Sequence, residues 1–232
     1  MNGPIKTLLF DFGGTLDADG VAWKERFQSL YRAEGLDMTG DDFAPAFYAA
    51  DDPLVGSLPP TTNLSATIHA LAGNLESELA SRVGDNKNDD RSGRVALGFL
   101  SEAAAIFERN RPVLQALSER YQLGIVANFY GNLEAVCQSA GLHSFFEVMV
   151  DSCSVGAEKP DPAIFRAALE RLGATPEKTI FIGDSLPRDR EGAQRMGMRF
   201  IWVAPQAVQA GRPEPHAQPA VSDLRDLTKI LQ

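Results

Sequence analysis

Four polar residues come directly after apolar segments of the sequence, at positions where buried strands would end. They are Asp11, Asn128, Asp151 and Asp184. The parallel strands of an open α/β sheet end at one edge and bind ligands there, so we expect these side chains to lie close together. Lys159, on a loop that opens a helix, and Asp189, five residues beyond Asp184, should reach the same edge.

These residue types suit a phosphate group bound beside a metal ion. The carboxylates of Asp11 and Asp184 offer hard oxygen ligands, which Mg²⁺ prefers. The ion and the Lys159 ammonium group would neutralise a phosphoryl group during its transfer. Asp11 could attack phosphorus and form an aspartyl phosphate that water then hydrolyses. The glycines at 13 and 14 let the chain turn sharply, with backbone N–H groups facing the anion.

The elements that would position these residues alternate between helix and strand after Pro112. Strands are predicted over residues 122–127, 146–150, 179–182 and 199–203, with single helices between them. This alternation predicts an α/β fold with a doubly wound parallel sheet. The apolar strand at residues 7–10 must join the same sheet if Asp11 is to meet the other strand ends.

Residues 17–111 have a helical pattern instead. Helices are predicted over 22–34, from an N-cap at Thr39 through residue 50, from Thr61 or Thr62 along an apolar stripe that ends at Leu79, and over 94–110. The segment holds 16 acidic and 9 basic residues, so it is more acidic than the rest of the chain. We therefore expect a core domain of residues 1–16 and 112–232, interrupted by an all-helical cap domain of residues 17–111.

Two element boundaries are more specific predictions. Pro112 should separate the helix at 94–110 from another at 113–120, because proline interrupts helical hydrogen bonding. Ser222 should cap a last short helix over 223–231. Residues 204–220, which include four prolines, should form an irregular surface segment.

With these elements in place, the chain resembles hydrolases of the haloacid dehalogenase (HAD) superfamily over essentially its whole length. It resembles in particular the subgroup with a helical cap inserted after the first motif. Segment 11–16 resembles the first motif, DxDGT[LV], and segment 123–128 the second. The third is matched by Lys159-Pro160-Asp161-Pro162, and the fourth by Gly183-Asp184-Ser185 with Asp189.

The resemblance implies a Rossmann-like core and a Mg²⁺-dependent phosphatase that acts on a small phosphorylated metabolite. It assigns catalysis to Asp11 and Lys159. It places Mg²⁺ beside Asp11, the Gly13 carbonyl, Asp184 and Asp189. It places the phosphate beside Gly13, Gly14, Ala127, Asn128 and Lys159.

Two positions depart from the family pattern. Gly13 stands where the family's phosphatases carry a second Asp, their general acid and base, and Ala127 stands where the second motif offers a hydroxyl. The missing proton transfer is worth roughly 10²–10⁴ in rate. Asp17 or Asp19, in the same loop, could supply the carboxylate instead.

These departures leave two alternatives open. One is a weakly active or inactive relative that binds a phosphorylated ligand or a protein partner. The other is a metal-independent 2-haloacid dehalogenase that forms an ester at Asp11, since the family's dehalogenases also lack the second Asp.

Composition excludes several other classes. The net charge of −9 without a basic cluster argues against nucleic-acid binding. No apolar run approaches the roughly 20 residues that span a membrane. Cys137 and Cys153 lack metal-ligand spacing and should be reduced thiols. With no signal-peptide pattern at the N-terminus, we expect a cytoplasmic protein.

Overall fold

Six parallel strands form a single sheet in the computed structural model, which describes residues 4–83, 88–205 and 219–231. The strands are β1 (Thr7–Phe10), β2 (Gln122–Ala127), β3 (Val148–Asp151), β4 (Thr179–Gly183), β5 (Arg199–Val203) and β6 (Ala220–Val221). Their order across the sheet is β3-β2-β1-β4-β5-β6, and every neighbouring pair is parallel. The predicted doubly wound parallel sheet is therefore confirmed.

Helices cover both faces of this sheet. Four lie between β1 and β2: α1 (Trp23–Ala33), α2 (Gly40–Asp51), α3 (Leu64–Val83) and α4 (Asp89–Ser118). The later ones are α5 (Leu133–Ser139), α6 (Ser152–Val155), α7 (Pro162–Leu172), α8 (Glu191–Arg195) and α9 (Leu227–Ile230). Among the described residues, no helix has the length and apolar character needed to cross a membrane.

The central strand β1 divides the buried side chains into two layers. Leu8 and Phe10 point into the larger apolar cluster, and Leu9 points into a smaller one that contains Phe165 of α7. This alternation follows from the two-residue period of a strand. Because Phe10 pairs with Ile125 on one side and Ile182 on the other, Asp11 leaves the sheet between β2 and β4.

The helices α1–α3 and the first part of α4 form an insertion between two strands that pair directly. We call this segment, residues 17–111, the helical insert. Its apolar residues continue the larger cluster of the core, and Phe12 after β1 packs against Phe107 of α4 with ring centroids 6.2 Å apart. The behaviour of the insert as a separate cap domain with these boundaries stays a prediction.

The predicted break at Pro112 is wrong, because α4 runs unbroken through it for 30 residues. Proline removes one backbone donor and usually kinks or ends a helix. Here the buried stripe continues at helical spacing on both sides, from Phe107 to Leu114 and Leu117, and packing holds the helix together. One continuous helix therefore links the insert to the core.

Smaller boundary predictions had mixed outcomes. Thr39 caps α2 as expected, since its hydroxyl accepts a hydrogen bond from the backbone N–H of Asp42. The last helix is shorter than predicted. Asp223, not Ser222, caps the 3₁₀ turn Leu224–Asp226 that precedes it, by accepting a hydrogen bond from the N–H of Arg225. The predicted irregular segment 204–220 falls largely on residues 206–218, outside the described residues, and its last residue begins β6.

Candidate active site

The predicted charged residues meet at the carboxyl edge of the sheet. Lys159 Nζ lies 2.5 Å from Asp11 Oδ1 and 2.8 Å from Asp189 Oδ1, and the Lys159 side chain is only 3% exposed. Burial alone would lower the pKa of Lys159, but the two carboxylates beside it raise that pKa above its usual value. Lys159 is therefore a fixed positive charge between the ends of β1 and β4.

Three carboxylates concentrate negative charge around this lysine. Asp11, Asp184 and Asp189 each place an oxygen within 4.8 Å of the others. Burial, with the nearby charges of Asp11 and Asp189, raises the pKa of Asp184 well above its usual value. Burial also raises the pKa of Asp189 to about 6, although Lys159 opposes it. A bound cation would relieve this repulsion, and an all-carboxylate donor set suits a hard divalent ion.

Backbone contacts hold the cluster in place. The N–H of Asp11 donates to the carbonyl of Ile182, which ties the end of β1 to β4. The Asn128 side chain accepts from the N–H of Lys159 at 2.8 Å and donates to its carbonyl at 3.3 Å. Asn128 therefore positions the lysine loop. Asp189 accepts a hydrogen bond from the N–H of Ser185, which folds the loop after β4 back on itself.

Gly14 has a steric reason to be glycine. Its φ is +94°, and a Cβ there would lie 2.6 Å from Asp184 Oδ2. Its N–H donates to Asp17 Oδ1 at 2.7 Å. In this structure, that N–H is consequently not free for a phosphate, contrary to what the sequence predicted for Gly14.

The carboxylates expected to replace the missing acid are occupied elsewhere. Asp17 is 1% exposed and accepts hydrogen bonds from Gly14, from Trp23 Nε1 and from Arg26, each at 2.7 Å. Burial raises the pKa of Asp17, and Arg26 opposes that rise. Asp19 forms an ion pair with Arg109. Neither carboxylate lines the cavity at the site, so both expectations are wrong for this conformation.

Trp23 occupies the space beside Gly13. A Cβ built on Gly13 would lie 3.1 Å from Trp23 Nε1 and 3.4 Å from Cδ1 and Cε2. A carboxylate at position 13 would extend toward the indole ring. Trp23 is buried and packs edge-on against Phe99 of α4 and Phe129 after β2. The helical insert therefore supplies a ring where the family pattern has an acid.

A cavity of about 410 Å³ opens above the charged cluster. Core and insert both line it: Asp11, Gly13, Asn128, Lys159, Asp184 and Asp189 come from the core, and Trp23, Tyr48 and Asp51 from the insert. Of the remaining predicted positions, Ala127 is buried as the last residue of β2. The carboxylate oxygens of Asp151 accept hydrogen bonds from the backbone N–H groups of Gly131, Leu133 and Cys153. Asp151 is thus a structural residue.

Sequence reasoning missed several residues around the cavity. The Thr15 hydroxyl donates long hydrogen bonds to Asp11 Oδ2 and Asp184 Oδ1, at 3.3 and 3.4 Å. Thr15 belongs to the first motif, so its position there was the available signal. Tyr130 and Ser152 line the cavity itself. Tyr130 lies two residues after Asn128, and that proximity to a predicted strand end could have pointed to it.

Comparison with known proteins identifies the family of the chain. The family model for haloacid dehalogenase-like hydrolases matches residues 5–197. The haloacid dehalogenase-like hydrolase domain-containing protein 3 of Mus musculus is 30% identical over 70% of this chain and 64% of its own length. A glyceraldehyde 3-phosphate phosphatase from Methanothermobacter thermautotrophicus is 30% identical over 59% of this chain and 66% of its own length.

The solved structure of a 2-haloacid dehalogenase from Pseudomonas syringae shares the fold. It is 23% identical, 98% of each chain is covered, and the TM-score is 0.54. The chain spans less than two thirds of the length of the curated relatives just described. The match to the family model over most of the sequence nevertheless identifies this chain as a member of the haloacid dehalogenase-like hydrolases.

Proposed function

We propose that this chain is a Mg²⁺-dependent phosphatase that hydrolyses a small phosphorylated metabolite through an aspartyl phosphate at Asp11. The observation that carries the proposal is the cluster of Asp11, Lys159, Asp184 and Asp189 at one side of an open cavity. The phosphatase among the similar proteins supports the same reaction class.

Asp11 and Lys159 would carry the first step. An Asp11 oxygen attacks phosphorus, the bond from phosphorus to the ester oxygen breaks, and the alcohol leaves once that oxygen is protonated. Lys159 orients Asp11 through their 2.5 Å contact and neutralises charge on the transferring group. Water then attacks phosphorus in the second step and restores the Asp11 carboxylate.

The metal would be held by Asp11, Asp184, Asp189 and the carbonyl of Gly13. When bound, Mg²⁺ supplies Lewis-acid stabilisation of the phosphoryl oxygens. Asp184 is the better placed direct ligand, because Asp189 is already engaged by Lys159 and the Ser185 N–H. Gly13, Asn128 and Lys159 line the cavity and remain as phosphate contacts, whereas Ala127 offers only its backbone.

A panel of phosphate esters tests this function. We expect the wild-type protein to release phosphate from sugar phosphates or phospho-acids with Mg²⁺ and to stop when EDTA removes the ion. Asp11→Asn serves as the matched control, because it preserves shape and removes the nucleophile. Binding of orthovanadate with Mg²⁺ but no turnover of any ester would favour the inactive relative. Halide release from 2-chloropropionate in EDTA would favour the dehalogenase, which Gly13 permits.

A further inference from the structure

The last residue of α2, in the helical insert, places a half-buried carboxyl group at the cavity. Asp51, the last residue of α2, accepts a hydrogen bond from the hydroxyl of Tyr130, in the loop after β2. Both residues line the cavity that also contains Asp11 and Lys159. Tyr130 is 5% exposed and packs against Phe129 and Trp23. The contact thus joins insert and core at the wall of the cavity that also holds Asp11 and Lys159.

The other carboxyl groups at the cavity are less suited to donate a proton. Outside the cluster of Asp11, Asp184 and Asp189, those lining it are Glu25, Asp51, Asp52 and Glu158. Glu25, Asp52 and Glu158 are exposed, whereas Asp51 is half-buried. An exposed side chain is free to move in solvent, whereas the half-buried carboxyl group of Asp51 is held in place by its hydrogen bond with Tyr130.

The surroundings of Asp51 favour its protonated form. Burial raises the pKa of Asp51, and the neighbouring charge of Asp52 raises it further. The Tyr130 hydroxyl and Arg188 oppose the rise. General acids benefit from a pKa closer to neutrality, as burial provides here.

We propose that Asp51 donates the proton to the leaving group and that Tyr130 positions its carboxyl group. This inference rests on the proposed phosphatase function. It names a residue that would replace the general acid missing at position 13. As Asp11 attacks phosphorus and the phosphorus–oxygen ester bond breaks, the Asp51 proton passes to the departing oxygen and leaves Asp51 as a carboxylate. In the second step, water attacks phosphorus, the bond from phosphorus to Asp11 breaks and dihydrogen phosphate leaves, while Asp51 regains its proton from solvent.

The test compares two leaving groups in Asp51→Asn. An alkoxide needs a proton as it departs, whereas p-nitrophenolate is stable without one. We expect kcat on an alkyl phosphate such as glycerol phosphate to fall about 10²-fold or more, and kcat on p-nitrophenyl phosphate to fall less than about threefold. Tyr130→Phe keeps the ring and removes the hydroxyl, so it should show the same selectivity with a smaller loss. Asp41→Asn, an exposed carboxylate of the same helix, should leave both rates unchanged.

The outcomes separate this inference from the proposed function. Equal losses on both esters, or no loss on either, would overturn the role of Asp51 and leave the phosphatase intact. A wild-type protein that hydrolyses neither ester with Mg²⁺ would overturn the phosphatase and the acid with it. Asp51→Asn should still bind orthovanadate with Mg²⁺ in a calorimetric titration. Retained binding would show that its lower turnover does not result from misfolding. A variant that no longer binds vanadate would indicate a structural role and contradict the proposal.

Discussion

The two sides of the loop after β1 use their carboxylates differently. On the side of β4, Asp11, Asp184 and Asp189 surround the single ammonium group of Lys159, which leaves an excess of negative charge. On the side of the insert, the one carboxylate of Asp17 meets the guanidinium of Arg26 and two N–H donors. The first arrangement is unbalanced without a cation, and the second is complete in itself.

This difference shows why a carboxylate in the right loop need not be catalytic. Asp17 lies only six residues from Asp11, but its oxygens are fully used in holding Gly14, Trp23 and α1 together. The Trp23 ring fixed by this contact then fills the space beside Gly13. The β4 side should therefore carry the nucleophile and the metal, whereas Asp17 and Trp23 should carry stability and the shape of the cavity.

The largest effect should come from the nucleophile on the catalytic side. We expect Asp11→Asn to lower kcat at least about 10³-fold, because loss of a nucleophile removes the covalent route. The amide is isosteric, so the midpoint of urea unfolding should change little. Steady-state phosphate release checks the first statement, and more than about a tenth of wild-type activity would exclude Asp11 as the nucleophile.

On the insert side, Asp17→Asn should act on stability. Removing one partner of a buried ion pair leaves Arg26 with only the longer ion pair to the exposed Glu102, so the free energy of unfolding should fall by about 3 kcal/mol. Urea denaturation measures this loss. The control is Asp19→Asn, whose ion pair with Arg109 is partly exposed and should contribute less than about 1 kcal/mol. Similar losses in the two variants would mean that burial does not distinguish these carboxylates.

Metal affinity should separate the two aspartates after β4. We expect Asp184→Ala to weaken Mg²⁺ binding more than Asp189→Ala, whose loss should be about 10-fold, as for a residue that orients other ligands. The reason is that Asp189 is engaged by Lys159 and Ser185, whereas the Thr15 hydroxyl makes a long contact with Asp184. Calorimetric titration with Mg²⁺ measures both. Equal, negligible losses would refute the metal site.

The smallest effect concerns the acid missing at Gly13. Gly13→Asp alone should change the turnover of an alkyl phosphate little, because the Trp23 ring limits the space for the new side chain. Combined with Trp23→Leu, the same substitution should raise turnover about 10-fold relative to Trp23→Leu alone, as expected for a positioned acid. Kinetics of the four proteins measure this coupling. If Gly13→Asp raised turnover as much in the wild-type background as in the Trp23→Leu background, Trp23 would not be what limits an acid at position 13.

The parts of this structure that the sequence predicted are those set by local periodicity. Apolar runs ending in Asp11 and Asp184 defined strands, and parallel strands bring their ends together, so the charged cluster was foreseeable. The continuity of α4 was not, because proline argues locally for a break and only long-range packing of Leu114 and Leu117 overrides it.

The insert side of the cavity was beyond sequence reasoning for a related reason. Trp23 lies on the apolar stripe of a helix, which predicts a buried core residue. That pattern does not indicate that the indole ring lies beside Gly13. The contact between Asp51 and Tyr130 joins residues 79 positions apart, and no local pattern specifies it. Contacts between the insert and the core depend on how the two pack together, and no short segment of the sequence specifies this packing.

Direct detection of the covalent intermediate tests the central claim. Protein mixed with p-nitrophenyl phosphate and Mg²⁺ is quenched in acid, digested and analysed by mass spectrometry. We predict one phosphoryl group on the peptide that contains Asp11 and none on the same peptide of Asp11→Asn. Turnover of the ester with no phosphoryl group on Asp11, or with the group on another residue, would contradict the account.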